Sequence, residues 1–298
     1  MSQRTSPATG KIYGLKRVCE SWEMPRSTLY AKRGKGSLEG AGDKSDKRGP
    51  KVLVSDSDIV DKIKADIKAS PFKGEGYRKI HARVRRQSVI VGKERVLRLM
   101  RENCLLSPSR RVQGEPNLHD GTIITDKPNE MWGTDAIKIN TVDDGMVWGF
   151  FAVEHWNAEC MGWHACKKGD AQAALEPIKQ GVKRIYGSVN SKAAIGLTLR
   201  EDHGSQYTAE QYRNQLKFWG IKISYGFVQE PETNGVVERF NRTVKEQVIH
   251  GRIFKNLEEV RECIGKFVEQ YNQFWLLEKM GYQSPLQARE AYDKQAAA

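Results

Sequence analysis

The chain has 298 residues, of which 39% are apolar and 29% are charged, so it can bury a sizeable core. No run of 18 or more apolar residues occurs, which excludes a membrane-spanning helix, and the start "MSQRTSPATGKIYG" lacks the apolar segment of a secretory signal peptide. Five scattered cysteines, none in a CxxC pair, argue for a reducing compartment. We therefore expect a cytoplasmic protein.

The net charge of +12 lies entirely in the first part of the chain. Residues 1–130 hold 28 Lys and Arg against 16 Asp and Glu, whereas residues 131–298 hold 21 of each. A basic segment joined to a neutral one is typical of a protein with a polyanion-binding part and a second part of different function. A charged surface kept for solubility is the alternative, but the complete asymmetry favours nucleic acid.

Helical periodicity predicts all-α modules in the basic part. Residues 1–33 contain two short helices separated at Met24-Pro25, a pattern that resembles a helix-turn-helix. Residues 34–50 are rich in Gly and charge, which predicts a flexible linker. Residues 51–112 predict a basic helix-turn-helix DNA-binding domain, with a first helix from Asp56 to Ala69 and a helix-break-helix after it.

The helix-break-helix segment carries most of the excess charge. Residues 71–111 hold 12 basic and 3 acidic residues, and the basic side chains lie opposite apolar stripes. Such a helix suits a DNA groove or a row of phosphates, although an ordinary solvated face is the alternative. The predicted DNA-binding residues of this domain are Arg78, Lys79, Arg83, Arg85, Arg86, Lys93, Arg95, Arg98 and Arg101.

The periodicity changes from residue 131 onward. Strands are predicted at "MWGTDAIKIN", twice within "MVWGFFAVEHWNAECMGWHAC", and at "IGLTLRED" and "IKISYGF", with helices between and after them. We expect Pro177 to bend or shorten the first of these helices. The pattern predicts an α/β fold, a mixed five-stranded sheet flanked by helices. We place this core at residues 128–254, between a linker at 113–127 and a C-terminal helical extension at 255–298.

Several kinds of chemistry are absent from the sequence. There is no GxxxxGK[ST] loop, no GxGxxG after a strand, no HExxH and no EF-hand loop. Four potential zinc ligands cluster within twelve residues, but their spacing fits no usual zinc pattern and polar hairpin side chains are the better interpretation. These four residues are His155, Cys160, His164 and Cys166.

Three carboxylates remain as candidates for a metal-dependent site. Asp135 lies inside the first strand, Asp202 ends the fourth strand, and Glu238 lies in the first turn of a helix. The 35 residues between Asp202 and Glu238 prove little, since two other Asp–Glu pairs share that spacing, but those pairs lie in the basic helices with no strand end nearby. Carboxylate oxygens suit Mg²⁺ and Mn²⁺.

The helix of Glu238 also carries cations. Arg242 lies one turn from Glu238, and Lys245 lies two turns away, at about 10 Å along the axis. Carboxylate and cations thus share one side of the helix, as expected where a metal site also holds a DNA phosphate. An ordinary surface Glu–Arg pair is the alternative.

These segments resemble the retroviral-integrase (DDE) superfamily, and specifically OrfB-type insertion-sequence transposases. The similar segments are "WGTDAIKI", "REDHGSQYTAEQYRNQL", "QEPETNGVVERFNRTVKEQV" and "GYQSP", preceded by "GYRKIHARVRRQSVIVGKERVLRLMRENCL", and together they cover roughly residues 55–290. The stretch "YNQFWLLEKMGYQSP" departs from the family pattern, because Trp275 and Leu276 occupy positions where members often have Arg and His.

The resemblance implies a ribonuclease-H-like core in which Asp135, Asp202 and Glu238 are catalytic and bind two Mg²⁺ or Mn²⁺ ions. It also implies that Lys245 contacts the element end, and that His203 and Asn234 contact the ligands or the substrate. The expected partner is double-stranded DNA, both element ends and target. Synapsis of two ends implies a homo-oligomer, and an upstream-frame OrfA-type protein or fusion is a further expected partner.

The leading hypothesis is therefore a bacterial, nucleoid-associated transposase that cleaves DNA 3′ ends and joins them to a target. One alternative is a catalytically silent DNA-binding protein derived from a transposase, which the three intact carboxylates count against. The other is a nuclease of the same fold, which would cut without joining. The basic helical module favours the transposase.

Overall fold

The computed structural model describes residues 3–30, 54–107, 124–202, 204–225 and 235–297. The chain divides into two compact units, Met1–Val52 and Leu53–Ala298. The predicted linker at 34–50 and most of the one at 113–127 lie outside the described residues. None of the helices in the described ranges combines the length and apolar character needed to span a bilayer.

The first unit contains a short helix, α1 (Leu15–Ser21), and a second helical stretch at residues 26–30. The helix buries Cys19. Trp22 directly follows the helix and is 55% exposed.

Three helices open the second unit: α2 (Asp56–Ala69), α3 (Tyr77–Arg86) and α4 (Lys93–Glu102). The Ser55 hydroxyl accepts the Asp58 N–H at 3.1 Å and so caps α2. The helices share a small core whose buried members are Ile59, Val60, Ile63, Ile80, Val84, Val89, Val91, Val96, Leu99 and Met100. The predicted all-α module is confirmed.

Five strands form one mixed sheet: β1 (Met131–Thr141), β2 (Gly145–Glu154), β3 (Cys160–Cys166), β4 (Thr198–Glu201) and β5 (Lys222–Tyr225). Their order is β3-β2-β1-β4-β5, with β1, β2 and β3 antiparallel and β1, β4 and β5 parallel. The predicted five-stranded mixed sheet is confirmed.

Helices cover both faces of the sheet. One face packs against α5 (Ala171–Tyr186), the single turn α6 (Ser205–Thr208) and α7 (Glu210–Trp219). The other face packs against α8 (Gly235–Val244), a π-helical turn (Lys245–Ile249) and α9 (Leu257–Phe274). A 3₁₀ turn (Glu278–Met280) and α10 (Pro285–Ala296) complete the chain.

Pro177 does not shorten its helix, contrary to the sequence expectation. It lies inside α5, which runs without interruption from Ala171 to Tyr186. The carbonyl oxygen of Pro177 contacts β3 so closely that a Cβ at Gly162 would lie 2.1 Å from it. Tertiary packing against the sheet therefore holds the helix together where the proline removes a backbone hydrogen bond.

The loop between α2 and α3 anchors the helical module on the sheet domain. Phe72 is buried in the core beneath α8 and α9, with its ring edge-on to Trp275 at 4.9 Å. The Gln247 side chain accepts from the Lys73 N–H and donates to the Lys73 carbonyl, both at 2.9 Å. Two hydrogen bonds thus join the loop to the π-helical turn that follows α8, and an aromatic contact joins it to Trp275 at the end of α9.

Side-chain amides cover the outer edge of β3. The Asn272 side chain accepts from the Cys160 N–H and donates to the Cys160 carbonyl at 2.9 Å each, as a neighbouring strand would. Gln180 makes the same paired contacts with Trp163 at 3.1 and 2.9 Å. The "YN" pair of the sequence motif therefore has a structural role, because it closes an edge otherwise open to another chain.

Candidate active site

Asp135 and Asp202 occupy matching positions on neighbouring parallel strands. The β1–β4 ladder pairs Gly133 with Arg200, and each aspartate lies two residues beyond its member of that pair. Side chains two residues apart point to the same face, and parallel neighbours are about 4.8 Å apart. The strand register thus brings the two carboxylates together on the face that α8 covers.

The surroundings of Asp135 disfavour its charged form. Burial raises the pKa of the Asp135 carboxyl, and the charge of Asp202 raises it further. The Ala136 N–H, the Asn241 amide and the charge of Lys245 oppose this effect. A cation between the two aspartates would remove their mutual repulsion, so this pair has the chemistry of a metal site.

Asn241 fastens the helix of Glu238 to the first carboxylate. Its Nδ2 donates to Asp135 Oδ2 at 2.7 Å, while its buried Oδ1 accepts no hydrogen bond from the residues that the structure describes. Glu238 lies three residues before Asn241 and Lys245 four residues after it, which places all three on one side of the helical segment. Lys245 also begins the π-helical turn, a departure from α geometry that is frequent at functional sites.

Asn241 is a site residue that the sequence reasoning missed. The site residues predicted on this helix are all charged, although position 241 lies three residues from Glu238 and therefore on the same face. The same search missed Tyr207 within the "DHGSQYT" segment. Tyr207 is fully buried, and burial together with the charges of Asp135 and Asp202 raises its pKa well above the usual value.

The turn after β4 is shaped around Asp202. The Gly204 N–H donates to Asp202 Oδ1 at 2.8 Å, and a Cβ at Gly204 would lie only 3.0 Å from that oxygen and 2.6 Å from the Gln206 amide nitrogen. A side chain at position 204 would therefore have to displace the Gln206 amide and crowd the Asp202 carboxylate. The preceding residue, Glu201, is buried beside Tyr212, and burial raises its pKa to about 7.

Glu238 does not complete a compact carboxylate triad. Its side chain is exposed on α8, and no three His, Cys, Asp or Glu residues within the described ranges are gathered closely enough to hold a metal ion. Two of the three predicted carboxylates are therefore brought together, and the third lies on the adjoining helix. His203 and Asn234 fall outside the described residues.

Of the predicted DNA-binding residues, five already have carboxylate partners within the chain. Arg83 pairs with Asp66 and Glu75 at 2.8 Å each, and Arg98 pairs with Asp56 at 2.8 Å. The other three are Arg95 with Asp56, Arg78 with Glu278, and Lys79 with Glu75 and the Trp275 ring.

The remaining predicted DNA-binding residues differ in their surroundings. Arg86 donates to the Tyr282 carbonyl at 2.6 Å. Arg85, Lys93 and Arg101 are exposed, as are Arg242 and Lys245 on the helix of Glu238. These five exposed cations are free to meet DNA phosphates without first exchanging a carboxylate partner in the described structure.

Sheet order, helix layers and the paired aspartates define a ribonuclease-H-like core of the integrase type. Two family profiles, both described as the integrase core domain, match residues 125–231 and 219–285, together more than half of the chain. A third profile, described as an HTH-like domain, matches residues 61–113. The chain belongs to the integrase core family and carries a helix-turn-helix-like domain before the core.

Two similar proteins are transposases of insertion elements. The transposase for insertion sequence element IS629 of Shigella sonnei is 26% identical over 73% of this chain and 70% of its own length. Transposase InsD of Escherichia coli insertion element IS2 is 26% identical over 70% of this chain and 71% of its own. A solved structure, the catalytic core domain of BIV integrase, aligns with 56% of this chain and 99% of its own at 19% identity and a TM-score of 0.39. The similarity to these two transposases agrees with the resemblance to OrfB-type insertion-sequence transposases that the sequence motifs indicate.

Proposed function

We propose that the chain catalyses divalent-metal-dependent cleavage of DNA 3′ ends and their transfer to a target strand. The observation that carries the proposal is the matching register of Asp135 and Asp202, with the helix of Glu238 tied to Asp135 through Asn241. Asp135 and Asp202 lie together, and in this proposal Glu238 on the adjoining helix joins them as the third carboxylate. Three carboxylates are a suitable donor set for two hard cations such as Mg²⁺ or Mn²⁺.

When bound, the two cations would activate the attacking oxygen and stabilise the leaving oxygen of an in-line displacement. Hydrogen bonds within the chain orient two of the carboxylates that would hold the cations. Asn241 keeps the Asp135 carboxylate oriented through its 2.7 Å hydrogen bond, and the Gly204 N–H does the same for Asp202 at 2.8 Å. Glu238, exposed on α8, supplies the third carboxylate from the solvent side.

The DNA strand would be held by the cations beside Glu238. Arg242 and Lys245 are exposed on the same helical segment, one and two turns from the carboxylate respectively, and can each neutralise a phosphate charge. On the helical module, the exposed Arg85, Lys93 and Arg101 are the predicted contacts that need not break an ion pair within the described structure. A two-ended synaptic complex would contain at least two copies of the chain.

Plasmid nicking and end joining test the proposal. Supercoiled plasmid is incubated with Mg²⁺ or Mn²⁺ and with wild type, Glu238→Gln or Glu262→Gln; the last variant makes the same chemical change at an exposed position of α9. We expect Glu238→Gln to lower the nicking rate by at least about 100-fold, because a metal ligand is lost. Glu262→Gln should react as wild type does, and all three should bind duplex DNA equally.

The products separate the alternatives. Joined molecules in the wild-type reaction select a transposase, whereas cutting without joining selects a nuclease. If wild type binds but does not react, an OrfA-type protein is added. Continued inactivity with that partner refutes the catalytic proposal and leaves the DNA-binding protein.

A further inference from the structure

A cavity of about 730 Å³ lies between the helical module and the helix of Glu238. Its walls are the first turn of α3, one side of α8, the end of α9 and the segment that follows α9 as far as Tyr282. The volume is within the range of cavities that hold small organic ligands. The catalytic proposal above does not use this space.

The cavity is lined by aromatic rings and cations. Tyr77, Trp275 and Tyr282 contribute aromatic side chains, and Lys79, Arg239 and Lys279 contribute positive charges. Two other charged side chains of the lining, Arg78 and Glu278, pair with each other at 2.9 Å. The lining therefore suits a ligand with a flat aromatic part and a negative charge.

Lys79 and Arg239 both line the cavity, and Lys79 already pairs with Glu75 at 3.5 Å. Burial lowers the pKa of Lys79 to about 7 although Glu75 opposes this effect, and the charge of Arg239 lowers the Lys79 pKa as well. Arg239 is exposed and has no ion pair with any of the residues that the structure describes. An anion between Lys79 and Arg239 would relieve this repulsion.

The helix α8 connects the cavity with the candidate active site. Gly235, Arg239 and Thr243 line the cavity at a spacing of four residues, while Glu238 lies on the side that faces Asp135. At 100° per residue, the two sides are roughly 130° apart, and the exposed Arg242 lies between them. A strand that contacts Arg242 thus reaches both sides within about one 5.4 Å turn.

We propose that the cavity binds one unstacked nucleotide of the DNA strand, with the base among the aromatic side chains and the phosphate between Lys79 and Arg239. This assignment deepens the proposed function and rests on it, because the nucleotide belongs to the strand held at Glu238. A nucleotide combines a flat aromatic base with an anionic phosphate, which is the chemistry of this lining. Stacking on aromatic side chains tolerates any base, so the site does not select sequence.

Binding of two matched DNA probes without metal tests the proposal. One is a blunt 25-base-pair duplex, and the other is the same duplex with a five-nucleotide single-stranded tail that carries one 2-aminopurine. Fluorescence anisotropy gives the affinities of the full chain for both probes in EDTA. We expect wild type to bind the tailed duplex about tenfold more tightly and to quench the 2-aminopurine, since stacking on aromatic side chains contributes to binding of each base.

Two variants and one control locate the effect. Arg239→Ala removes an exposed cation of the cavity, and Val236→Trp fills the cavity from α8. Both should reduce the tail preference to less than threefold and leave the affinity for blunt duplex nearly unchanged. Lys217→Ala removes an exposed cation on α7, which packs against the opposite face of the sheet, and should keep the tenfold preference.

The outcomes are distinct. Equal affinity of wild type for both probes, or a preference that survives in both cavity variants, overturns the proposal. Competition by free dAMP at micromolar concentration would assign the cavity to a mononucleotide and overturn the assignment to a DNA strand. Because the assay contains no metal, the nicking experiment fails or succeeds independently, and lost tail preference with intact nicking bears on the cavity alone.

Discussion

A buried cluster of charges attaches the C-terminal helix α10 to the sheet domain. The Arg289 Nε donates to the Glu159 carboxylate, and its guanidinium lies 3.7 Å from the Glu154 carboxylate. The side chains of Glu159 and Glu154 are at most 1% exposed, and that of Arg289 is 12% exposed. Arg184 makes a second contact with Glu159 at 2.8 Å. Replacement of Arg289 by Met keeps much of the volume and removes the charge.

We expect Arg289→Met to lower the free energy of unfolding by about 3 kcal/mol. Loss of one partner of a buried ion pair costs about 3–5 kcal/mol, because the other charge stays buried without compensation. The lower end applies here, since Arg184 still pairs with Glu159. For a unit of this size, about 1 kcal/mol corresponds to 2–4 °C, so Tm should fall by about 6–12 °C.

Urea and thermal unfolding measure the effect, with Lys179→Met as the matched control. Lys179 pairs with Glu176 at 3.2 Å on the surface of α5, where loss of a cation should cost less than about 1 kcal/mol. The double variant Glu159→Gln/Arg289→Met removes both charges and leaves Glu154 and Arg184, of which Arg184 is 41% exposed. It should be more stable than the sum of the single effects predicts.

The deficit should also depend on pH. Burial raises the pKa of Glu154, and the charge of Arg289 opposes that rise, so Arg289→Met should raise the Glu154 pKa further. When the pKa of a carboxyl group is higher in the folded than in the unfolded state, the protein loses folding stability as the pH rises from the unfolded-state pKa to the folded-state pKa. The deficit should therefore be smaller at pH 5 than at pH 8. A loss no larger than that of Lys179→Met, or a deficit that grows as pH falls, would refute the reasoning.

Two further predictions concern the anchored loop and the metal. Phe72→Ala should lower the free energy of unfolding in urea by about 3–5 kcal/mol and speed hydrogen exchange in α3, because the Phe72 ring packs against Trp275 and Phe267. The control Phe274→Ala should lower it far less, because the Phe274 side chain is 54% exposed. Equal losses in the two variants would contradict the anchoring role of the loop. Mn²⁺ at about 100 times its Kd should stabilise wild type by about 2.7 kcal/mol and the Glu238→Gln variant by much less, as measured by thermal shift. An equal shift in both proteins would argue against Glu238 as a metal ligand.

The sequence suffices for the strands, the helices and the two aspartates because their signals are local. Period-two and helical patterns mark the elements, and Asp202 ends a strand that lies parallel to the one containing Asp135. The family motifs then supply the pairing of distant strands, which no local pattern encodes. The shortening expected at Pro177 does not occur, and the contact with Gly162 that supports the helix could not be predicted because it joins two elements.

The fate of the basic residues could not be predicted from the sequence. Arg83 finds its partner Asp66 seventeen residues earlier, and Arg95 and Arg98 meet Asp56 about forty residues earlier. These pairs form only when three helices pack together, so helical periodicity could only mark the arginines as solvent-facing.

The contacts of Trp275 and Leu276 could not be predicted from the sequence either. In sequence they depart from the family pattern, yet in the structure Trp275 packs against Phe72 and the ammonium group of Lys79, and Leu276 is buried. Asn241 is different again. The sequence shows that Asn241 lies three residues from Glu238. A role for its neutral amide follows only when the fold places Asp135 opposite it as a hydrogen-bond partner.

The core holds one side of α8, and the proposed metal site and the proposed nucleotide cavity lie on its two other sides. Phe240 is buried with its ring 5.3 Å from Phe151 of the sheet and 4.9 Å from Tyr271 of α9, so the helix has little freedom to rotate. Arg239 is exposed and is not one of the residues packed in this core. Its removal therefore leaves the Phe240 packing and the Asn241–Asp135 hydrogen bond in place. A loss of tail preference in Arg239→Ala, with unchanged unfolding, must then arise in the cavity and not from a displaced Glu238.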